Sequence, residues 1–531
     1  MGPRGFDRYG PPVRALALAL LVGAACRGDA PDAEQASPAR APSAPDPVVL
    51  APSTDPSGAL VVHHGAQLST VDLSQTQALD LAVSESDQVG VLGELDAATT
   101  CDDIDLLALA ERAPALTRLR ISGCPSSIHA GLSAFGSRLK ELTLAELELD
   151  AVTIGNLSQL TGLQSLTLRR VTMGTDSLKP LRDVPLTTVV LQDLAKDSDL
   201  SMMLDLWPKT LQHVTLEGEW AGHNAMLTLA RADALETLQL RGTRIANFSL
   251  NQIKGLEHLR ELTLEGGSFN DNTPILFRDL PIERFVCTCR RFGDTGIKSL
   301  RHSANIRHLE LRETQVTGEG LEAIGKLDEL EELVLLDRDI GAAGFSNLAV
   351  LPKLRRLALS GPIEDPKLTK LGLLVHLQEL DLDMPDIVDG AAEEIAKLTS
   401  LTSLNLADTQ LSDVGLARFS TLTQLQELYL DGTRVTRDGL TSVAALAQLR
   451  VLSLDRTDVV DAGIEALAGH PALEELRLDG TLVTDKTVET LLSMPQLRRV
   501  SLARTVVSHA GVGRLREHPQ AVALNIDDIR G

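Results

Sequence analysis

From about Leu116 to the C-terminus, apolar residues fall in one pattern that recurs every 23 to 25 residues. The last copies are the most regular: Leu401, Leu425, Leu449, Leu473 and Leu497 stand 24 apart, as do Thr409, Thr433, Thr457, Thr481 and Thr505. The shared form is LxxLxLxxTxVTDxGLxxLxxLxx. Going backward, the same register runs through Leu377, Leu354, Leu330, Ile306, Ile282, Leu259, Leu235, Leu211, Leu186, Leu163, Leu139 and Leu116, with a weaker copy near Leu92. In LxxLxL the last two leucines alternate with polar residues, which is strand periodicity. The Thr falls where the chain leaves the strand, where stacked hydroxyls can bond backbone groups of adjacent turns. The Gly-Leu-x-x-Leu stretch that follows has helical spacing, with Asp413, Asp461 and Asp485 placed as N-caps. Pro471, Pro495 and Pro519 end these short helices before the next strand. One copy cannot cover its own leucines, so the copies must stack.

The pattern resembles that of the leucine-rich-repeat family, LxxLxLxx(N/C)xL, over roughly residues 92–526. It departs in carrying Thr at the usual Asn position and a TDxGL segment, which is similar to segments of bacterial repeat proteins and of F-box ubiquitin-ligase receptors. The resemblance implies an α/β solenoid, or horseshoe. It would have a parallel β-sheet on the concave face, short helices on the convex face, and protein or ligand binding on the concave side. A solenoid end exposes its core and needs a cap. Leu60-Val61-Val62, Leu68, Val71, Leu73, Leu79 and Leu81 suggest one at the start; Leu524 and Ile526 suggest a last strand, with Asp527 and Asp528 blunting its edge.

Length adds to this only through the repeats: 531 residues would otherwise imply three or four domains. Aromatics make up 2% of the chain, too few for the cores and pockets of a multi-domain enzyme, whereas thin stacked layers can be filled by leucine. The formal net charge of −23 argues against nucleic acid and against a protein body lying on an anionic membrane. It serves solubility or attracts a basic partner.

The N-terminus has a different character. Arg4, Arg8 and Arg14 precede an apolar run from Ala15 to Ala25, the length of a signal-peptide core and short for a membrane span. Leu21-Val22-Gly23-Ala24-Ala25-Cys26 resembles the lipobox of bacterial lipoproteins, with Gly23 where that family usually has Leu. By that resemblance Cys26 is the lipidated first residue after cleavage; an ordinary secretory signal with an incidental Cys is the alternative. Residues 26–58 are rich in Ala, Pro, Ser and Asp and read as a disordered tether. The expected organisation is a signal peptide (1–25), this tether, a cap (59–91), repeats (92–520) and a C-terminal cap (521–531). The protein is expected to be exported and held in a cell envelope, on the periplasmic or cell-surface side, touching the membrane only through the lipid anchor.

The third, fifth and seventh positions of each copy point out of the sheet. From Glu379 to Asp479 they hold eight acids, namely Glu379, Asp381, Asp383, Glu427, Asp431, Asp455, Glu475 and Asp479, against one base, Arg477, with Tyr429 at the centre. Strands about 5 Å apart would make these charges repel, and a face shaped for solubility alone mixes signs. An acidic, partner-binding face anchored on Tyr429 is therefore expected. In the middle of the chain Arg241, Arg284, His308 and Arg312 alternate with Glu261, Glu265 and Glu310, as in a charge ladder between strands, with Arg290 and Arg291 just beyond. Cys101 and Cys124 occupy similar places in adjacent copies and form a candidate disulfide. Cys287 sits at an inward position; with Cys289 and His302 or His308 it matches no standard zinc spacing, so no metal or cofactor is expected. An open sheet offers neither a pocket nor burial to raise a carboxylate's pKa. No catalytic signature is present, so the chain is not expected to be an enzyme. These readings point to a tethered scaffold that holds a protein or peptide. A self-associating structural protein is the alternative. A ubiquitin-ligase substrate receptor ranks last, because residues 27–91 lack an apolar helical pattern. The oligomeric state is left open.

Overall fold

The structure, a computed structural model, describes residues 105–516 except 125, 174–178, 195–208, 267, 337–340 and 362–367, together with 53–54, 60–62, 73, 76–82 and 523–525. The signal peptide, Cys26, most of the tether, Cys101, Pro519, Ile526, Asp527, Asp528 and the copy near Leu92 lie outside the described residues.

The inward leucines stack in register. Leu380 stands beside Leu404, then Leu428, Leu452, Leu476 and Val500, in strands that all run parallel. Together the strands form one 21-stranded sheet. Every first-position residue of the expected register, Leu116 to Leu497, is at most 2% exposed, which fixes the register. Short α- and 3-10 helices such as Asp413–Leu416 and Asp485–Leu492 follow the strands and bury their Leu, Ile and Val against the same core. One continuous apolar layer thus lies between sheet and helices, and the other sheet face is left open. In the middle copies Phe277, Phe285 and Phe292 fill the layer, with ring centroids 5.0 and 6.1 Å apart along that series.

The sheet starts earlier than the tether and cap boundaries suggest. Ser53–Thr54 pairs antiparallel with Leu60–Val62, which runs parallel to Ala78–Ala82. Ala78–Ala82 lies directly beside Arg118–Ser122, with Leu79 facing Leu119. At the far end Ala523–Asn525 pairs with Arg499–Ser501 as the expected last strand.

Two local expectations are corrected. Asp413, Asp461 and Asp485 are the first residues of their helices, not the caps; Ser412, Val460 and Thr484 hold the cap position. Each carboxylate instead reaches the following copy. Asp413 accepts from the Thr436 N–H at 2.8 Å and its hydroxyl at 2.5 Å. Asp461 does the same with Thr484, and Asp485 with Ser508. A charged acceptor with two donors on one residue is a strong, directional link, and the donors lie 23 residues away, beyond any local capping pattern. The glycine of TDxGL belongs to the same device: a Cβ on Gly439 or Gly511 would strike the Asp413 or Asp485 carboxylate. The Thr column also bonds differently. Thr409, Thr433, Thr457, Thr481 and Thr505 donate to the carbonyl three residues back in their own turn, at 2.6–2.7 Å, not to adjacent turns.

Candidate functional site

The open face between Glu379–Asp383 and Ala523–Asn525 gathers the predicted acids. Its strands are short because the chain turns out right after the inward leucine. The turn frees a backbone N–H at the seventh position, and the preceding copy's Asp takes it. Asp431 Oδ1 accepts from the Asp455 N–H at 2.8 Å and from the Ser453 hydroxyl at 2.5 Å. Asp455 Oδ1 accepts from the Asp479 N–H at 2.6 Å. Asp479 Oδ1 accepts from the Ala503 N–H at 2.8 Å and the Ser501 hydroxyl at 2.5 Å. The seventh-position acids are therefore fixed in a column by the backbone, so their charges are preorganised rather than swinging in solvent.

This arrangement has an electrostatic cost. Burial, then the Asp431 charge, pushes Asp455 up to about 7. Burial raises Asp431 as well, against the pull of Ser453. Asp381 is pushed up to about 6, again by burial, although Asn405 donates to it at 2.8 Å. Glu379 is raised by burial despite Arg356 at 3.7 Å. The expectation that an open sheet cannot raise a carboxylate is thus overturned: stacking in the column half-buries these carboxyls and raises them. The same packing buries Ser403, Ser453 and Glu475, three positions expected to face outward.

Glu475 differs from the other acids. Burial opposes its charge, but Arg477 at 2.7 Å and Arg499 at 2.5 Å hold it below the usual range. It is neutralised within the sheet and does not add to the acidic surface. Tyr429 is half-buried; burial, then the Glu427 charge, raises its hydroxyl, which donates to Glu427 at 3.4 Å. Asp383 is exposed at the edge of this face. Asp455, Glu475, Arg477, Asp479, Arg499, Ser501 and Asn525 line a shallow depression of about 390 Å³, so the face is not flat. Arg499, Ser501 and Asn525 extend the site beyond the predicted residues; the signal was their third and fifth positions in the next copies.

The middle of the sheet is a charge ladder, as expected. Glu310 accepts from Arg312 at 2.5 Å and faces Arg284 at 3.5 Å and His308 at 3.4 Å. Burial opposes its charge, yet His308 and Arg312 take it down to about 2. His308 also meets Glu332 at 2.6 Å, Arg241 meets Glu265 at 3.8 Å and Arg290 meets Glu313 at 2.8 Å. This stretch is self-satisfied, unlike the acidic column. Cys287 and Cys289 are joined by a disulfide, a pairing not foreseen, which leaves their sulfurs unavailable as ligands. Cys124 is disulfide-bonded too.

The leucine-rich-repeat family model matches residues 302–325 and 397–420. None of the curated proteins compared matches the chain. Among solved structures, an internalin from Listeria monocytogenes is 16% identical, covering 70% of this chain and 82% of its own, with a TM-score of 0.32. A leucine-rich-repeat protein of Leptospira interrogans is 16% identical over 88% and 99%, with a TM-score of 0.34. TLR13, solved as a complex with ssRNA13, is 17% identical over 88% and 62%, with a TM-score of 0.46. Two repeats matched in sequence, the 23- to 25-residue period and the in-register parallel strands lead to one conclusion: the chain is a leucine-rich-repeat protein.

Proposed function

We propose that this protein is a binding scaffold that holds a basic protein or peptide segment against the open face from Glu379 to Asn525. The observation that carries this reading is the column Asp431, Asp455 and Asp479. Its carboxylates are aligned by backbone donors, half-buried, and unfavourable to one another. A face that keeps such a cost is commonly functional. A lysine or arginine from a partner would remove it, whereas a polyanion such as nucleic acid would add to it. Tyr429 would supply the apolar contact. The reading includes tethering in a bacterial envelope through Cys26, which rests on the lipobox resemblance. A non-catalytic role fits the open face, and no reaction is assigned to the raised carboxyls.

The test is capture from envelope extract by the full chain, followed by titration of what elutes at high salt. Replacing Asp381, Asp383, Glu427 and Asp431 by Asn or Gln keeps shape and should remove most salt-sensitive affinity. Tyr429→Ala should weaken binding at every salt concentration. Unchanged affinity in both variants would exclude this face and favour self-association.

A further inference from the structure

Three residues before the first leucine of each copy, the core holds Leu374, Leu398, Leu422, Leu446 and Met494, all at most 5% exposed. His470 occupies that place in its own copy and is 3% exposed. Its Nδ1 accepts from the Ala472 N–H at 3.4 Å, while Nε2 reaches no hydrogen-bond partner. Ser303 breaks the same column in the middle of the chain, with an unpartnered hydroxyl that does not titrate. The two substitutions therefore differ in one respect: only the imidazole can acquire a charge.

We propose that His470 makes the C-terminal repeats acid-labile: protonation places a cation with no acidic partner in the leucine column and opens the layer between Leu446 and Leu476. The charged groups on the convex helices of this and the two adjoining copies, which pack on one another, are Arg437 and Asp438, Asp461 and Glu465, and Asp485, Lys486 and Glu489. Asp461 and Asp485 are held by Thr484 and Ser508, and Glu489 by Arg514. Among the described residues no charged side chain hydrogen-bonds or pairs with the imidazole. Burial pushes its pKa below the ordinary value, opposed by the Leu446 backbone alone. Because the folded value lies below the unfolded one, the neutral ring's stabilising contribution is complete above the unfolded pKa. It is lost as pH falls through that value toward the folded one. The device is independent of what the acidic face binds.

Amide hydrogen exchange of the full chain, compared between wild type and His470→Leu at the same pH, reads this opening directly. Near pH 5 the amides from 446 to 476 should exchange roughly tenfold faster in the wild type, and near pH 7.5 the two should agree within about twofold. His470→Gln, polar but neutral, should differ from His470→Leu by the same ratio at both pH values. Ser303→Ala should likewise change exchange around its own layer without pH dependence. Should the leucine variant not fold, His470→Met, matching Met494 in the next layer, supports the same comparison. A wild-type to leucine-variant ratio that is equal at both pH values would overturn the proposal.

Discussion

Asp455 shows how one side chain serves two opposed demands. It must stay an acceptor for the Asp479 N–H, yet its charge is opposed by burial and by Asp431. Its folded pKa, about 7, lies above that of an unfolded aspartate, so the folded state holds the proton more tightly. The sign follows: the charge destabilises the fold fully above pH 7, and the effect fades as the pH falls toward about 4. Asp455→Asn keeps the acceptor and removes the charge. Urea titrations should show it more stable than wild type by about 1–2 kcal/mol at pH 8, with the gain gone near pH 4. A constant difference would mean that the carboxyl is not perturbed. That Asp455 faces the open side was legible from its place in the seventh position. Its burial was not, because that depends on what Arg477 and the neighbouring copies do in three dimensions. Ser453 makes the same point: it has the outward parity of an exposed residue, but it is buried and donates to Asp431 from the copy before.

At the level of the repeated element, leucine spacing alone fixed strand positions and register, since a period of 24 admits one way to stack the inward side chains. The convex segment was harder to read. Asp413 beside a helix start looks like a cap to any local rule, whereas its partner, Thr436, lies one whole copy away. TDxGL is better understood as three parts of a joint: the Thr or Ser receives the previous copy's Asp, the Asp reaches forward, and the Gly leaves room for the incoming carboxylate. Gly439→Ala should therefore destabilise the fold by about 1–3 kcal/mol. Gly513→Ala, in a helix where an added Cβ meets nothing within 4 Å, should be neutral or stabilising by roughly 0.5–1 kcal/mol. Thermal unfolding of the two variants side by side checks this; equal effects would mean that glycine serves only as a weak helix former. Arg437 replaces the Asp in one copy, so the joint is missing between that copy and the next.

For the whole molecule, the sequence conveyed the solenoid and the acidic end, but not where the sheet begins. Leu60–Val62 and Ala78–Ala82 fall in the apolar segments expected of the cap, whereas Ser53–Thr54 joins the sheet from the stretch read as tether, where no periodicity announces it. The anchoring of the whole chain is tested by metabolic labelling with a fatty-acid analogue: the wild type should incorporate label and Cys26→Ser should not. Equal labelling, or none in either, would count against the lipoprotein reading. One further arrangement acts across several repeats. At the residue after the open-face positions the backbone is left-handed in every C-terminal copy, at Asp408, Gly432, Arg456, Gly480 and Arg504. Glycine alternates there with Asp408, Arg456 and Arg504, and Arg456 passes over Gly432 to grip both oxygens of Asp408, at 2.9 and 3.1 Å. Over these five copies, though not in earlier ones such as those of Gly218, Gly242 and Gly266, a second period of two repeats is superimposed on the first. Removing or inserting a single repeat would put this alternation out of phase, while a pair would preserve it. Changes in length within this stretch, whether by gene duplication or by an engineer, should be tolerated best in steps of two.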